Sequence, residues 1–369
     1  MIRILEAFGE PILYGGQESF VFKTINNMNR NDMHFDFLTP YYLKSTKYEK
    51  LAQSIGSKIY EFNLSFKMGK SRLNVIKKYD ALLKRNHYDV VHIHSGSISI
   101  LALFTFYAKK NKINKIIVHS HMAGSKKNWK HEFFKKLYSP IFNYMADLLL
   151  APSISAAYWQ FSKKVFKKKG EILKNGIEIK KYLFNPKIRD VYRKKLYFKK
   201  NDIVLGNVGR LSKEKNQIFL IRLLKYANNK NLKLLLVGNG PCSNILKNEI
   251  KKDNLNSQIK FTGNVPNVED YLQAVDIFTF PSKYEGLGIA SIEAQASGLP
   301  VLSSNYVPKD IAITNNVFFL QLSVREWYKK IIDLSKKTDL RYNNQYFQIE
   351  KHGYNIKDTS SKLRDLYLK

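Results

Sequence analysis

Short apolar, β-rich runs alternate with longer helix-patterned stretches along the whole chain, and this alternation limits the fold more than any other feature. In the first half the runs are 2–8, 34–39, 58–63, 89–94, 115–121 and 147–152. In the second they are 202–208, 232–237, 259–262, 276–280, 299–303 and 317–320. Runs such as Leu234-Leu235-Leu236-Val237 and Val90-Val91-His92-Ile93 are apolar at successive positions, not at every second one. A strand of that kind is covered on both faces, as parallel strands between helices are. Two rounds of strand–helix alternation predict an α/β protein of two doubly wound, Rossmann-like domains. The length of 369 residues agrees, since one domain takes about 150. Turn signals at Asn175-Gly176 and Asn185-Pro186 put the boundary within 170–190. The domains are therefore read as 1–175 and 176–345, and the polar, aromatic-dotted segment 346–369 as a terminal helix.

Composition narrows the setting. The single cysteine, Cys242, allows no disulfide framework within the chain, as in a reducing compartment. Glu6 and Glu10 interrupt the first apolar run, unlike a secretory leader. The longest weakly polar run, Ser95 to Ala108, is shorter than the roughly 18–20 apolar residues of a membrane span. A cytoplasmic protein, soluble or peripheral on the membrane, is expected. The net charge of +32, from 62 Lys+Arg against 30 Asp+Glu, favours anionic partners: a membrane surface, nucleic acid or phosphorylated ligands.

In open parallel sheets ligands bind beyond the carboxyl ends of the strands, and two such domains facing each other make a cleft. The strongest motif follows the run 276–280: Glu285-Gly286-Leu287-Gly288, then Ile-Ala-Ser-Ile-Glu293 and an exit at Gly298-Leu-Pro300. Two glutamates at this spacing are ordinarily solvated surface groups. Here glycines allow close backbone approach, and a helix N-terminus behind them suits phosphate. Glu285 would face the cleft, and Glu293, two turns on, would reach ribose hydroxyls. After the run 202–208 come Gly209-Arg210 and Lys215-Asn216. A planar guanidinium and a mobile ammonium can together neutralise a diphosphate. Gly15-Gly16 after the first run is a glycine-rich loop without a full phosphate-binding fingerprint. Gly238-Asn-Gly240-Pro241 reads as a turn.

Histidine forms two strand-end pairs, His92/His94 and His119/His121, each on one strand face. No H-E-x-x-H and no D-x-D stands in the chain, so a hydrogen-bonding or proton-handling role is expected rather than metal ligation. His92 and His119 read as packed side chains. Residues 126–169 hold ten Lys and two acids, interleaved with Trp129, Phe133, Phe134, Tyr138, Phe142, Tyr144, Trp159, Phe161 and Phe166. Such a stretch either docks on an anionic lipid interface or packs its aromatics beneath a solvated lysine face. No nucleic-acid-binding motif accompanies it.

Taken together, Gly15-Gly16, VVHIHSG, IIVHSHM, LKNGIE, GNVGRLSKEKN, LLLVGNGP, FTGNV and YEGLGIASIEAQASGLPVLSS resemble the retaining glycosyltransferases of family 4, most closely the subgroup that builds capsular and exopolysaccharide repeat units. The resemblance implies the GT-B fold, with the C-terminal helix crossing back to the N-terminal, acceptor-binding domain. It implies a nucleotide sugar, UDP-linked in this subgroup, in the second domain. Gly209, Arg210 and Lys215 would lie at the diphosphate, Glu293 at the ribose, and Val265 near the base. Glu285 with Gly286, Leu287 and Gly288 would face the transferred hexose. On the acceptor side Gly15 and Gly16 would approach phosphates. His121 matches the family's catalytic-region histidine, with His119 as its alternative. The acceptor would be a lipid-diphosphate-linked glycan at the inner membrane face, and neither cofactor nor metal is implied. A sugar-nucleotide epimerase on the same fold and a non-catalytic basic protein binding membrane or nucleic acid are the competing readings.

Overall fold

Helices on both faces of a sheet leave its strands no watery side, and residue-by-residue burial shows how these runs meet that constraint. A computed structural model of the chain describes residues 1–13, 15–65, 72–121, 129–286, 288–336, 341 and 345–369. Every run is a strand in it, with ends moved by two residues at most. The first seven strands are β1 Ile2–Phe8, β2 Met33–Thr39, β3 Ile59–Glu61, β4 Val90–His94, β5 Lys115–His119, β6 Leu148–Ala151 and β7 Gly170–Ile172. They form one sheet in the order β3-β2-β1-β4-β5-β6-β7. The other six are β8 Ile203–Val208, β9 Leu232–Val237, β10 Ile259–Gly263, β11 Ile277–Phe280, β12 Val301–Ser304 and β13 Val317–Leu320, ordered β10-β9-β8-β11-β12-β13. All named strand pairs are parallel.

The successive apolar residues serve two cores each. In β9, Leu234 and Leu236 enter one cluster while Leu235 and Val237 enter the cluster on the opposite face. In β4, Val91 and Ile93 face one core and Val90 the other. Each such side chain, fully removed from water, contributes about 1.5–3 kcal/mol. β7 was not anticipated. It is a three-residue edge strand, half-buried throughout and paired only with β6, so it lacks the apolar run that marks the others.

The chain divides into a first unit of Met1–Gly176 with Ile356–Lys369 and a second of Ile177–Asn355. The segment 346–355, expected to belong with the terminal helix, lies in the second unit instead. Ile349 on the helix Tyr346–Lys351 is fully buried in that core with Tyr354, and Ile177 N donates to Tyr354 O at 2.7 Å. Only the helix Ile356–Leu368 joins the first unit. Its Leu363, Leu366 and Tyr367 pack with Ile4 and Phe35, and Ser360 Oγ donates to Thr24 O at 2.9 Å. In each sheet the first strand is central and the chain winds outward to both sides. The order reverses between β1 and β4 and between β8 and β11, and loops leaving these strands' carboxyl ends form the crevices where such sheets bind ligands.

Because Leu363 is 1% exposed and Leu368 is 41% exposed, Leu363→Ala is expected to lower stability by about 2–4 kcal/mol and Leu368→Ala by less than about 0.5. Urea unfolding measures the difference. Equal midpoints would remove this helix from the first unit's core.

Candidate active site

In the second unit the chain leaves β8 through Gly209, whose φ of +149° is a backbone conformation that favours glycine. A Cβ on Gly238 would lie 2.1 Å from Gly209 O, and one on Gly240 2.3 Å from Leu211 O. The loops after β8 and β9 therefore touch backbone to backbone, with Leu211 N donating to Asn239 O at 3.1 Å and Cys242 N to Leu211 O at 3.0 Å. Gly238–Pro241 is thus a buttress for the β8 loop as well as a turn.

The β8 loop is also bound to the loop after β11. Asn216, in left-handed conformation ahead of the helix Gln217–Ala227, donates from Nδ2 to Pro281 O at 3.1 Å. Lys283 N donates to Glu214 O at 2.7 Å. Gln217 Nε2 holds Arg210 O at 3.1 Å, and Asn207 Nδ2 holds Thr279 O at 2.8 Å. These links set Lys215 against Glu285, with Nζ 2.6 and 2.7 Å from the two carboxylate oxygens. The Glu285 side chain is 5% exposed and that of Lys215 27%. Separate ligands were expected of these two residues. The structure joins them as an ion pair, and the ammonium, with three protons, keeps one donor beyond the carboxylate. Arg210 is exposed.

Gly288, with φ +70°, stands ahead of the helix Ile289–Ala296, and a Cβ there would meet Phe280 at 2.9 Å. Among the described residues no side chain caps this helix; Ser291 N donates to Gly288 O at 2.8 Å, and the N–H groups of Ile289 and Ala290, with the helix dipole, suit an anion. Gly286 is half-buried in the same loop; Leu287 lies outside the described residues. Glu293 is 8% exposed, and its Oε1 accepts from Tyr182 OH at 2.7 Å. Burial, and then the Glu293 carboxylate, push the Tyr182 hydroxyl well above its ordinary pKa, so it stays a donor. Sequence reasoning missed Tyr182, which stands 111 residues from its partner in the boundary segment. Val265 is half-buried against the second core, just past Gly263, whose carbonyl accepts from Gly238 N at 2.9 Å.

In the first unit, strand register decides the site. Glu6 pairs with His92, Phe8 with His94, and His94 with His119, so alternation points these side chains to one face. His94 Nε2 lies 2.7 Å from Glu6 Oε2 and His94 Nδ1 2.8 Å from His121 Nε2. Tyr367 OH, from the terminal helix, donates to Glu6 Oε1 at 2.5 Å and lies 2.7 Å from His92 Nδ1. His119 Nδ1 lies 3.3 Å from His92 Nε2. His92 and His119, expected to be merely packed, are buried members of this network. Glu6, read only as an interruption of the first run, is its hub. His121 lies just past β5, which ends two residues sooner than expected. Burial pushes the His94 and His119 imidazoles well below their ordinary pKa, and the His121 imidazole to about 3. His92, His94 and His119 form the one group among the described residues with metal-ligand spacing. Every ring nitrogen of the three except His119 Nε2 already faces a hydrogen-bond partner.

At the Gly15-Gly16 loop the chain supplies a carboxyl group of its own. The Glu18 carboxylate folds back over it: a Cβ on Gly15 would lie 2.4 Å from Glu18 Oε2, and Leu13 N donates to Glu18 Oε1 at 3.4 Å. The chain's own carboxylate thus sits where an acceptor phosphate was expected, much as in a helix capping box.

The imidazoles make stability acid-sensitive. Folded His94, His119 and His121 stay unprotonated well below pH 6.5, whereas unfolded histidines take a proton near 6.5. The unfolded chain then binds more protons, so stability falls as pH drops below about 6.5, by up to about 1.4 kcal/mol per pH unit per group. Thermal melts between pH 7.5 and 5 are expected to show a falling Tm. A flat Tm would mean that these imidazoles carry charge in the folded protein.

A model of glycosyl transferases group 1 matches residues 188–347, and one of glycosyltransferase family 4 matches residues 14–181; together they take in most of the chain. Over 385 aligned positions, 100% of this chain and 99% of the relative, the chain is 28% identical to the capsular polysaccharide biosynthesis glycosyltransferase CapH of Staphylococcus aureus. It is 28% identical over 302 residues, 78% of this chain and 77% of the relative, to the Escherichia coli UDP-Gal:alpha-D-GlcNAc-diphosphoundecaprenol alpha-1,3-galactosyltransferase. The Anabaena protein HepE, solved in complex with UDP and glucose, shares the fold over 99% of both chains with a TM-score of 0.79 and 17% identity. With its two doubly wound parallel sheets, the chain belongs to the family-4 glycosyltransferases of the GT-B fold.

Proposed function

We propose that the chain is a retaining, metal-independent hexosyltransferase that moves a sugar from a UDP-linked donor to a lipid-diphosphate-linked glycan in capsule or exopolysaccharide synthesis. The carrying observation is the Lys215–Glu285 pair beside an uncapped helix N-terminus, at the carboxyl ends of the neighbouring strands β8 and β11. Departure of a nucleoside diphosphate builds negative charge on phosphate oxygens and positive character on the sugar. Lys215, Arg210 and the first-turn N–H groups of Ile289–Ala296 would stabilise the first. Glu285 would face the second, held in place by the ammonium. Glu293, steadied by Tyr182, would accept from the ribose. The glutamate's engagement with Lys215 speaks against a double displacement through it. The departing phosphate would then take the acceptor hydroxyl's proton on the face it leaves. The names of CapH and of the E. coli galactosyltransferase support the pathway, the UDP donor and the lipid diphosphate acceptor.

The same reading places the protein at the inner membrane face, although no described helix is long and apolar enough to cross a membrane. On the helix Trp129–Met145, Trp129, Phe133, Leu137 and Tyr144 form one exposed stripe, 56–78% accessible. Phe142, Phe161 and Phe166 are core residues instead. Lys135 donates to Tyr158 O at 2.6 Å, so it steadies the fold, whereas Lys164, Lys167 and Lys168 stand exposed on the neighbouring helix Lys163–Lys169. Aromatics beside lysines fit an anionic lipid surface.

Transfer from UDP-sugars to a lipid-diphosphate glycan is expected to fall about 10²–10³-fold in kcat for both Lys215→Ala and Glu285→Gln. Unchanged rates in both would sink the site assignment, and label released without reaching a lipid-extractable product would sink the transferase reading. Separately, Trp129→Ser with Phe133→Ser and Leu137→Ser is expected to abolish co-sedimentation with phosphatidylglycerol vesicles. Retained binding, or a wild-type dimer that this triple variant dissociates, would overturn the docking proposal.

A further inference from the structure

Each hydrogen bond in the first unit's polar cluster has a direction, and one end sets it. As a carboxylate, Glu6 has lone pairs and no proton to give. Its Oε1 accepts from Tyr367 OH at 2.5 Å, so the 2.7 Å contact at Oε2 is His94 Nε2–H donating. A neutral imidazole protonated at Nε2 carries its lone pair at Nδ1. That nitrogen lies 2.8 Å from His121 Nε2, so His121 must supply the proton. With Nε2 committed, His121 has its own lone pair at Nδ1. This atom is buried and meets no hydrogen-bond partner among the described residues. Burial keeps both rings uncharged, which the chain of single protons requires.

We propose that Glu6 and His94 are positioning residues that lock His121 in its Nε2–H tautomer, so that His121 meets substrate only as a hydrogen-bond acceptor at Nδ1. This rests on the glycosyltransferase reading above and on His121 being the catalytic-region histidine that the sequence resemblance implies. The ligand group it takes is a donor, a sugar hydroxyl, and not a phosphate or carboxylate oxygen, which would oppose the lone pair. Tyr367 belongs to the same device: the last turn of the terminal helix holds the carboxylate oxygen that His94 does not use. The terminal helix therefore acts on the site through a named atom, besides filling the first core.

The test is long-range ¹H–¹⁵N correlation on the full chain labelled with ¹⁵N-histidine, which reads the protonated nitrogen of each ring. In the wild type, His94 and His121 are expected as Nε2–H tautomers. In Glu6→Gln the amide NH₂ can donate to His94 Nε2, and both rings are expected to move toward Nδ1–H. With the same variant kcat is expected to fall about a hundredfold or more, with donor KM within about twofold, as when a triad's orienting carboxylate becomes an amide. Should that variant not fold, His94→Phe keeps a ring in place and is expected to leave His121 as a mixture of tautomers. Wild-type His121 found as Nδ1–H or as imidazolium overturns the proposal, as do tautomers unmoved by these substitutions or an unchanged kcat in a folded variant. A wild type inactive with every UDP-sugar would sink the transferase reading instead, and the tautomers would still decide the relay.

Discussion

Burial of parallel strands on both faces is the constraint from which the rest follows. It sends successive side chains of a strand such as β9 into two different cores and leaves polar chemistry two places to stand. One is the loops at the strands' carboxyl ends, where Gly209–Lys215 and Glu285–Gly288 lie. The other is within the sheet face itself, provided that every polar group brings its own partner, since an unpaired buried charge is far too costly to keep. The second unit uses the first place. The first unit uses both, and its Glu6, 1% exposed, is tolerable there because Tyr367 and His94 donate to its two oxygens.

What was legible in the sequence divides along the same line. Strands that serve two cores announce themselves as continuous apolar runs, and all such runs are strands. The edge strand β7, half-buried at Gly170, Glu171 and Ile172, has no such run to show. Motif loops were legible because glycine and charge cluster locally. Partnerships over long separations were not: Tyr182 with Glu293, Lys215 with Glu285, and above all Glu6 with Tyr367, 361 residues apart. Each depends on register or on a crossing helix, neither of which leaves a local pattern. The fold of the Gly15-Gly16 loop was hidden for a related reason: two glycines before a helix do not reveal that a carboxylate one turn later lies over them, as that of Glu18 does.

The two points of strand-order reversal carry opposite electrostatics. In the second unit a lysine, an exposed arginine and a helix N-terminus concentrate positive charge, moderated by one buried carboxylate. Such a site attracts phosphate and can strengthen its hold as charge develops on a leaving group. In the first unit burial favours the neutral forms of His94, His119 and His121, and His94 links His121 to one carboxylate, which lends direction but no positive charge.

Neutrality there has a physical logic beyond burial. A neutral imidazole can offer a lone pair to a hydroxyl, which an imidazolium cannot. Two influences hold the rings uncharged. Removal from water comes first, and neighbouring histidines add to it, since a proton on one ring disfavours a proton on the next. The protein's formal charge of +32 acts in the same direction over longer range. Glu6 alone pulls the other way at His121. It stands two hydrogen bonds from His121, close enough to orient the ring through His94 and too weak a pull to charge it. The intervening ring of His94 is thus what carries the carboxylate's direction to His121.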